Sequence, residues 1–564
     1  MSRMPKIGAD GRGRKIATLA GFALGQAVAA GVAAFATRDV FTAVRDDDPN
    51  AALFPIVAIA VAGFTIAGFR ICERVAAERV GQEYAAALRE KLFTHVAAMP
   101  AGAVANYRAG GLALRFVGDL SAIRGWVSLG LGRLISSSIA LPVAGAVLMA
   151  LNPALGAAAI APVAGGIVIM CVAGWRLGEA HRRLRARRAR LAADMSERIV
   201  CAPELRLMGR INLERRKLRK RTSNLVDAAI RRANGAGFLI AIPDAALGVA
   251  AAALFTAAIR TNAAPADIAG AMAALSIVAH PMRRLAGVWD RQRAFAAARA
   301  KCEHLLDTPR LNRKRTSIVP RAREVVAQTA GAHVTFSNLS AGVFKDLSAS
   351  VAPGACVALI GPNGAGKSTL LTLAAGLEQP AKGQTRVDGV KPTAMTAQER
   401  RRAIAYVGPH SPILAGTMRR ALTMGCAPRP DDDVILETAD TFGLLPLIKR
   451  LGGLDGTIRE NARNLSAGEA RRLMLSRAAL VKPKLLLLDE PDDVLDPEGV
   501  DLIRRLLTIT QASALIATHN IRTARMADDI WFIKNGAIAE IGTPDAISSG
   551  SGLIGAFFNV RSVA

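Results

Sequence analysis

The sequence predicts two unlike domains: an all-α bundle of six transmembrane helices, then an α/β nucleotide-binding domain of the P-loop NTPase class. Two observations carry that prediction. Up to about Ala286 the chain is dominated by Ala, Val, Leu, Ile and Gly, in runs long enough to cross a bilayer at ~1.5 Å of rise per helical residue. Beyond it, short apolar segments end in glycine, acid and histidine, the residue types an α/β sheet presents to a nucleotide at its strand ends. At 564 residues the chain exceeds one compact core. Composition divides it into a membrane domain over 1–305, a basic linker over 306–330 and a nucleotide-binding domain over 331–564.

The six spans fall at roughly 16–37, 52–70, 126–150, 154–175, 237–259 and 266–284. Arg3, Lys6, Arg12, Arg14 and Lys15 precede the first apolar run, which is too long for a signal-peptide core and is read as an uncleaved span. Alternating the loops places the basic segments Arg70 to Arg124 and Arg176 to Arg232 on the side of the N-terminus. The other side receives Arg38 to Asn50, a tight Asn152-Pro153 turn and Arg260 to Asp267. This bias predicts a cytoplasmic N-terminus in the cytoplasmic (inner) membrane, with membrane lipid around the spans. Both basic connections are rich in Ala, Leu, Glu and Arg, so the spans are expected to continue as helices into the cytoplasm.

The formal net charge of +28 raises nucleic-acid binding, but the charge concentrates between apolar runs, as in His181 to Arg190 and Arg215 to Arg221. Lys/Arg excess in cytoplasmic loops accounts for it, and no nucleic-acid partner is expected. Cys72, Cys171, Cys201, Cys302, Cys356 and Cys426 lack CxxC or Cys/His spacing, so neither a zinc site nor a disulfide framework is indicated. Gly21 and Gly25 form a GxxxG suited to close helix packing. Asp244, after Pro243, and His280 lie within spans, where an ionised group must face protein or water. Two readings stand: both line a cavity crossed by substrate, or Asp244 pairs with a neighbouring helix and His280 sits near the cytoplasmic end.

The chemistry lies in the second half. An apolar strand, Val357 to Ile360, runs into Gly361, Pro362, Asn363, Gly364, Ala365, Gly366, Lys367, Ser368 and Thr369, a GxxxxGK[ST] loop between strand and helix. The glycines let backbone N–H groups converge on phosphate oxygens, Lys367 reaches the β/γ-phosphates and Ser368 can ligate Mg²⁺. A second strand, Leu485 to Leu488, ends in Asp489 and Glu490, an acid for the metal and a carboxylate to polarise water. A third, Ala514 to Ala517, ends at Thr518 and His519. Ser466, with Glu469 three residues on, reads as a helix capping box.

In order and spacing these segments resemble the ATP-binding domain of the ABC transporter superfamily, whose LSGGQ signature stands here as Leu465-Ser466-Ala467-Gly468-Glu469. The resemblance implies that Gly361 to Thr369 is the Walker A loop, that Asp489 joins Ser368 at Mg²⁺, that Glu490 is the catalytic glutamate and that His519 is the switch histidine. It places Asp496 in the D-loop, and gives Ser466 and Gly468 to the ATP held by a second cassette. Thr457 to Arg463, with Glu460, resembles the segment typical of exporters. Arg115 and Asp119, in the stretch from Gly110, extend the likeness into the membrane half.

Several positions depart from the family pattern. Asn338 stands where an adenine-stacking aromatic is usual, with Phe336 out of register. Pro409 replaces the Q-loop glutamine; either His410 substitutes for it or coupling runs through other contacts. Ala467 and Glu469 alter the signature, and Asp492-Asp493 replaces a small polar pair.

Because each ATP in this family is held between one chain's Walker face and another's signature, the implied partner is a second copy or a homologous half-transporter. The implied activity is ATP hydrolysis coupled to alternating access and export. The alternative is an ATP-binding membrane regulator or a degenerate subunit of a heterodimeric exporter. A soluble ABC ATPase acting on ribosomes or DNA is excluded by the apolar runs. An Ala-rich domain with few aromatics selects no substrate class.

Overall fold

Asp48 precedes a proline at the first helical position, and its carboxylate accepts hydrogen bonds from the Asn50 and Ala51 N–H groups at 3.0 and 3.2 Å. The helix it caps, Pro49–Val96, then runs for 48 residues. Such starts, with apolar sequence behind them, build the first of two units in the computed structural model. The structure describes residues 4–107, 109–176, 178–311, 331–409, 411–496, 499–550 and 552–562. Most of the expected linker and His410 therefore lie outside the described residues. One unit is Met1–Ala97 with Tyr107–Thr308; the other is Ala98–Asn106 with Pro309–Ala564.

The first unit is helical. Five helical stretches among the described residues are long and apolar enough to cross a membrane: Arg12–Arg45, Pro49–Val96, Gly111–Leu151, Pro153–Trp175 and Ile211–Thr261. The sixth expected span forms the helix Pro265–Ala286, whose Asp267, Arg283 and Arg284 keep it below that apolarity. Its Ala271, Ala274 and Leu275 pack with Leu148, Leu155 and Leu254 in one buried cluster. Helices of 48 and 51 residues extend for roughly 70 Å at ~1.5 Å per residue, more than twice a hydrocarbon core of ~30 Å. Leu53, Phe54, Ile56, Val57, Val61 and Phe64 stand exposed along one of them, an apolar surface suited to lipid. Asn152 makes the tight turn by accepting from Ala154 N–H at 3.1 Å.

Among the described residues the second unit holds three sheets. Its strands are β1 Val334–Ala341, β2 Phe344–Val351, β3 Cys356–Ile360, β4 Lys382–Val387, β5 Ile404–Val407, β6 Gly416–Thr417, β7 Thr457–Ile458, β8 Leu485–Asp489, β9 Ser513–Ala517, β10 Asp529–Lys534 and β11 Ala537–Gly542. The main sheet runs β11-β10-β3-β9-β8-β5, parallel except at β11; the others are β2-β1-β4 and β6-β7. β3, β8 and β9 are buried at every residue, as continuous apolar runs in a doubly covered parallel sheet must be. Alternate residues face two cores. Ala358, Ile360, Leu486, Leu488 and Ile516 pack with the helices Ala467–Val481 and Asp501–Thr510. Val357, Leu359, Leu487 and Leu515 face the helix Lys367–Ala374 and the three-stranded sheet.

The short segment Ala98–Asn106 belongs to this second unit although the first unit's helices flank it in sequence. Ala101 N–H donates to the Leu377 carbonyl at 2.9 Å, and Gly102 N–H donates to the Glu378 carboxylate.

Candidate nucleotide-binding site

Between β3 and the helix Lys367–Ala374, the backbone takes conformations that demand glycine. Gly361 has φ 147° and Gly366 has φ 107°. A Cβ at Gly361 would lie 2.1 Å from the Ile533 carbonyl oxygen, and one at Gly366 would lie 2.7 Å from the Phe344 ring. The loop is thereby clamped by β10 and β2 while Pro362, Asn363 and Gly364 stay exposed at its crest. Ala365 is buried beneath it.

Lys367 is only 6% exposed. Its Nζ lies 2.8 Å from the Gly361 carbonyl, 3.3 Å from that of Pro362 and 3.1 Å from His519 Nε2. Ser368 Oγ donates to Asp489 Oδ1 at 3.0 Å, and Thr369 follows on the same helix turn. A hydroxyl and a carboxylate oxygen at that spacing are the hard donors Mg²⁺ prefers, so the residues present fit that ion. Glu490 sits in the left-handed region at φ 48°, its N–H held by the Ala517 carbonyl at 2.8 Å. This bend aims its carboxylate at His519, with Oε1 3.6 Å from Nε2. The ends of β3, β8 and β9 thus bring Lys367, Ser368, Asp489, Glu490 and His519 together.

Sequence reasoning missed Tyr406 on β5. Its hydroxyl donates to Asp489 Oδ2 at 3.1 Å, so Ser368 and Tyr406 hold the two oxygens of one carboxylate. Burial and the adjacent Asp489 charge push the Tyr406 phenol up, keeping it a donor. The pairing of β5 with β8, which sets Tyr406 beside Leu487, creates this contact, and no local motif announces it. Asp492 is likewise a buried acceptor: Thr518 and Thr523 hydroxyls donate to its Oδ2 at 2.7 and 2.5 Å. Its place in the sequence thus matches an internal bracket between β8 and the segment after β9. Arg471 is 6% exposed, its pKa lowered by burial against the opposing pull of Asp493, Asp492, Asp489 and Glu490.

Ser466, of the expected signature, bonds outside this cluster. Ser466 caps the helix Ala467–Val481: Glu469 N–H donates to Ser466 Oγ at 3.2 Å and Ser466 N–H to Glu469 Oε2 at 2.8 Å. Partial burial alone would raise the Glu469 pKa, but the Ser466 bonds and the Arg450 guanidinium at 3.0 Å bring it below the usual range. Glu469 in place of glutamine therefore completes a capping box. Ser466 is exposed and Gly468 half-buried, and no hydrogen bond among the described residues joins either to the Walker-type loop. Asp496 accepts from Arg472 at 3.3 Å and from Gly499 N–H at 2.7 Å.

At the departures, Asn338 has φ 46° at a bulge of β1 and accepts from the Ser348 hydroxyl at 3.1 Å. Phe336 is 2% exposed and committed to the core. Pro409 is exposed, in a turn closed by Ser411 Oγ accepting from Gly408 N–H at 2.9 Å.

In the helical unit, Asp244 pairs with Arg283 of the neighbouring helix at 2.8 Å, and both side chains are more than half exposed. His280 is exposed near the C-terminal end of the helix Pro265–Ala286. The Arg115 guanidinium lies 4.9 Å from the Tyr107 ring centre, and Asp119 pairs with Lys301 at 3.3 Å.

Residues 344–493 match the family model described as ABC transporter, and residues 19–278 match that described as ABC transporter transmembrane region. The chain is 31% identical over 236 residues to the β-(1→2)glucan export ATP-binding/permease protein NdvA of Agrobacterium vitis, 41% of this chain and 40% of that protein. It is 29% identical over 447 residues to the mycobactin import ATP-binding/permease protein IrtB of Mycolicibacterium smegmatis, 75% of this chain and 74% of that protein. The chain spans about half the length of the curated relatives it matches first. A solved bacterial Atm1-family ABC exporter with ATP bound shares the fold at TM-score 0.83 and 21% identity, over 99% of both chains.

Proposed function

The chain belongs to the ABC transporter superfamily, a helical transmembrane region fused to one ATP-binding cassette, and from that premise we propose that it is half of a dimeric, ATP-driven exporter of the cytoplasmic membrane. The observation that carries this reading is the convergence of Lys367, Ser368, Asp489, Glu490 and His519 at the ends of three neighbouring strands. The signature residues Ser466 and Gly468 belong to a different region of the same cassette, so a complete site needs a second chain. Export is favoured over import by the segment Thr457 to Arg463 with Glu460. The names of relatives include both directions. The proposed domains are 1–305 for the membrane part, 306–330 for the linker and 331–564 for the cassette.

In this mechanism the loop from Gly361 to Thr369 wraps the ATP phosphates with backbone N–H groups, and Lys367 exchanges its carbonyl partners for phosphate oxygens. Ser368 and Asp489 would hold Mg²⁺, which would supply positive charge against the phosphates. Glu490 accepts a proton from the attacking water, and His519, beside it, donates toward the γ-phosphate. Ser466 and Gly468 of a second chain close the far side. Dimer closure moves the helical units between inward and outward access, and hydrolysis resets them.

The test is ATPase activity of the purified chain in lipid beside Glu490→Gln. Activity that falls by about 100-fold or more in the variant supports a self-sufficient homodimer. Equal activity in both overturns the role of Glu490. No activity in either supports a second reading, in which this chain is the degenerate subunit of a heterodimer or a regulator. That reading is favoured by Pro409, which has no side-chain oxygen, and by Asn338, whose side chain is bonded to Ser348.

A further inference from the structure

Inside the helical unit, between the segments 121–133, 232–240 and 286–294, there is a cavity of about 370 Å³. Its wall carries Arg133, Arg232 and Arg291 against a single acid, Asp290. Arg232 pairs with Asp290 at 2.7 Å, and the nearby Arg284 pairs with Glu73, also at 2.7 Å. Among the described residues no ion pair or hydrogen bond is found for Arg133 or Arg291; Arg133 feels the like charges of Arg291, Arg284 and Arg74, and Arg291 feels that of Arg74 against the attraction of Asp290. Two half-buried guanidiniums thus face one hollow whose lining acid among the described residues, Asp290, is already paired with Arg232.

Gathering cations away from bulk water is unfavourable unless anions reach them. The walls make room for such a reach. A Cβ on Gly287 would lie 3.0 Å from Arg133 Nη1, and one on Gly125 would lie 3.6 Å from Arg291 Nη1, so two glycines leave space for the guanidiniums. The apolar part of the wall, Leu239 and Ile240, offers a surface for a carbon skeleton. Ile240 lies one helical turn from Asp244, and Gly287 one turn from Arg283, so the exposed Asp244–Arg283 pair continues the polar strip along the same two chain segments.

We propose that this cavity binds a small organic anion through a phosphate group gripped by Arg133 and Arg291, either a soluble phosphate ester or the headgroup of an anionic lipid. Planar guanidiniums bind phosphate through paired N–H donors, and the volume accommodates the phosphate with a short carbon chain. The inference deepens the transport reading by giving its substrate path a charge preference, and rests on it for that meaning. Its test uses no turnover, so a chain without ATPase activity still decides it.

The full chain is placed in neutral phosphatidylcholine nanodiscs, with the cassette saturated by a non-hydrolysable ATP analogue, and titrated with glycerol 3-phosphate. In a second arm the nanodiscs contain phosphatidylglycerol, and lipid retained by the protein is counted by native mass spectrometry. Arg133→Gln and Arg291→Gln are compared with Arg260→Gln, which removes the same charge outside the cavity. The lysine versions, which keep the charge, separate lost binding from lost fold. The expected result is binding in one arm that weakens by about tenfold in each cavity glutamine variant, is retained in Arg260→Gln and falls with added salt. The arm in which this appears identifies the source of the phosphate. Binding in neither arm, binding indifferent to Arg133 and Arg291, or equal loss in Arg260→Gln overturns the proposal.

Discussion

The Tyr406 hydroxyl donates to Asp489 Oδ2 at 3.1 Å while Ser368 donates to Oδ1 of the same carboxylate at 3.0 Å. Asp489, 5% exposed, is therefore fixed in rotation from both sides. Where the family offers a Q-loop glutamine this chain has Pro409, three residues beyond Tyr406. Tyr406→Phe removes one support of the carboxylate. We expect a fall of about tenfold in ATPase activity at limiting Mg²⁺, scaled from a hydrogen bond to a charged group, with smaller loss at saturating Mg²⁺. An unchanged Mg²⁺ requirement would exclude a positioning role for the tyrosine.

Glu378 is the side chain by which the cassette holds the Gly102 N–H, next to the backbone bond from Ala101 to Leu377. Glu378→Ala is expected to leave nucleotide affinity intact and to reduce substrate-stimulated ATPase about threefold, within the range single contacts contribute to coupling between sites. Paired measurements of nucleotide Kd and stimulated turnover check it; a parallel loss of nucleotide affinity would reassign Glu378 to the fold of the cassette.

Asp492 accepts hydroxyl bonds from both Thr518 and Thr523 and is 8% exposed. Asp492→Ala strands two buried hydroxyls and should destabilise the cassette by about 2 kcal/mol. Thermal unfolding of the full chain reads this as a lowered first transition. No change in that transition would mean that water replaces the carboxylate at no cost.

Burial pushes the Cys356 thiol up to about 12, and burial with Asp119 pushes that of Cys302 up to about 11, from an ordinary 9.0. Both groups bind their proton more tightly folded than unfolded. Their contribution to stability is complete below about pH 9 and declines as pH rises toward about 11 to 12. At pH 8, maleimide should label the exposed Cys201 rapidly and leave Cys302 and Cys356 unmodified until denaturant is added. Labelling of Cys356 in the folded chain would show that β3 opens locally.

What could be read in the sequence was local. The Asn152-Pro153 turn and the capping box of Ser466 and Glu469 each bond within three residues, so their partners are visible in one short window. The apolar runs reveal the helices because a bilayer sets a length, and the runs Cys356–Ile360, Leu485–Asp489 and Ser513–Ala517 reveal strands that are covered on both faces.

The order in which those strands pair was not visible. Tyr406 meets Asp489 because β5 lies beside β8, 83 positions away in sequence. Asp244 finds Arg283, Glu73 finds Arg284 and Arg133 faces Arg291 by the same kind of distant packing. The sequence by itself determined the two domain types and the phosphate loop, because backbone conformation and span length act over neighbouring residues. Only the tertiary structure decided which charges are paired and which are gathered unpaired around a cavity, because electrostatic partners depend on distance in space and not on order along the chain.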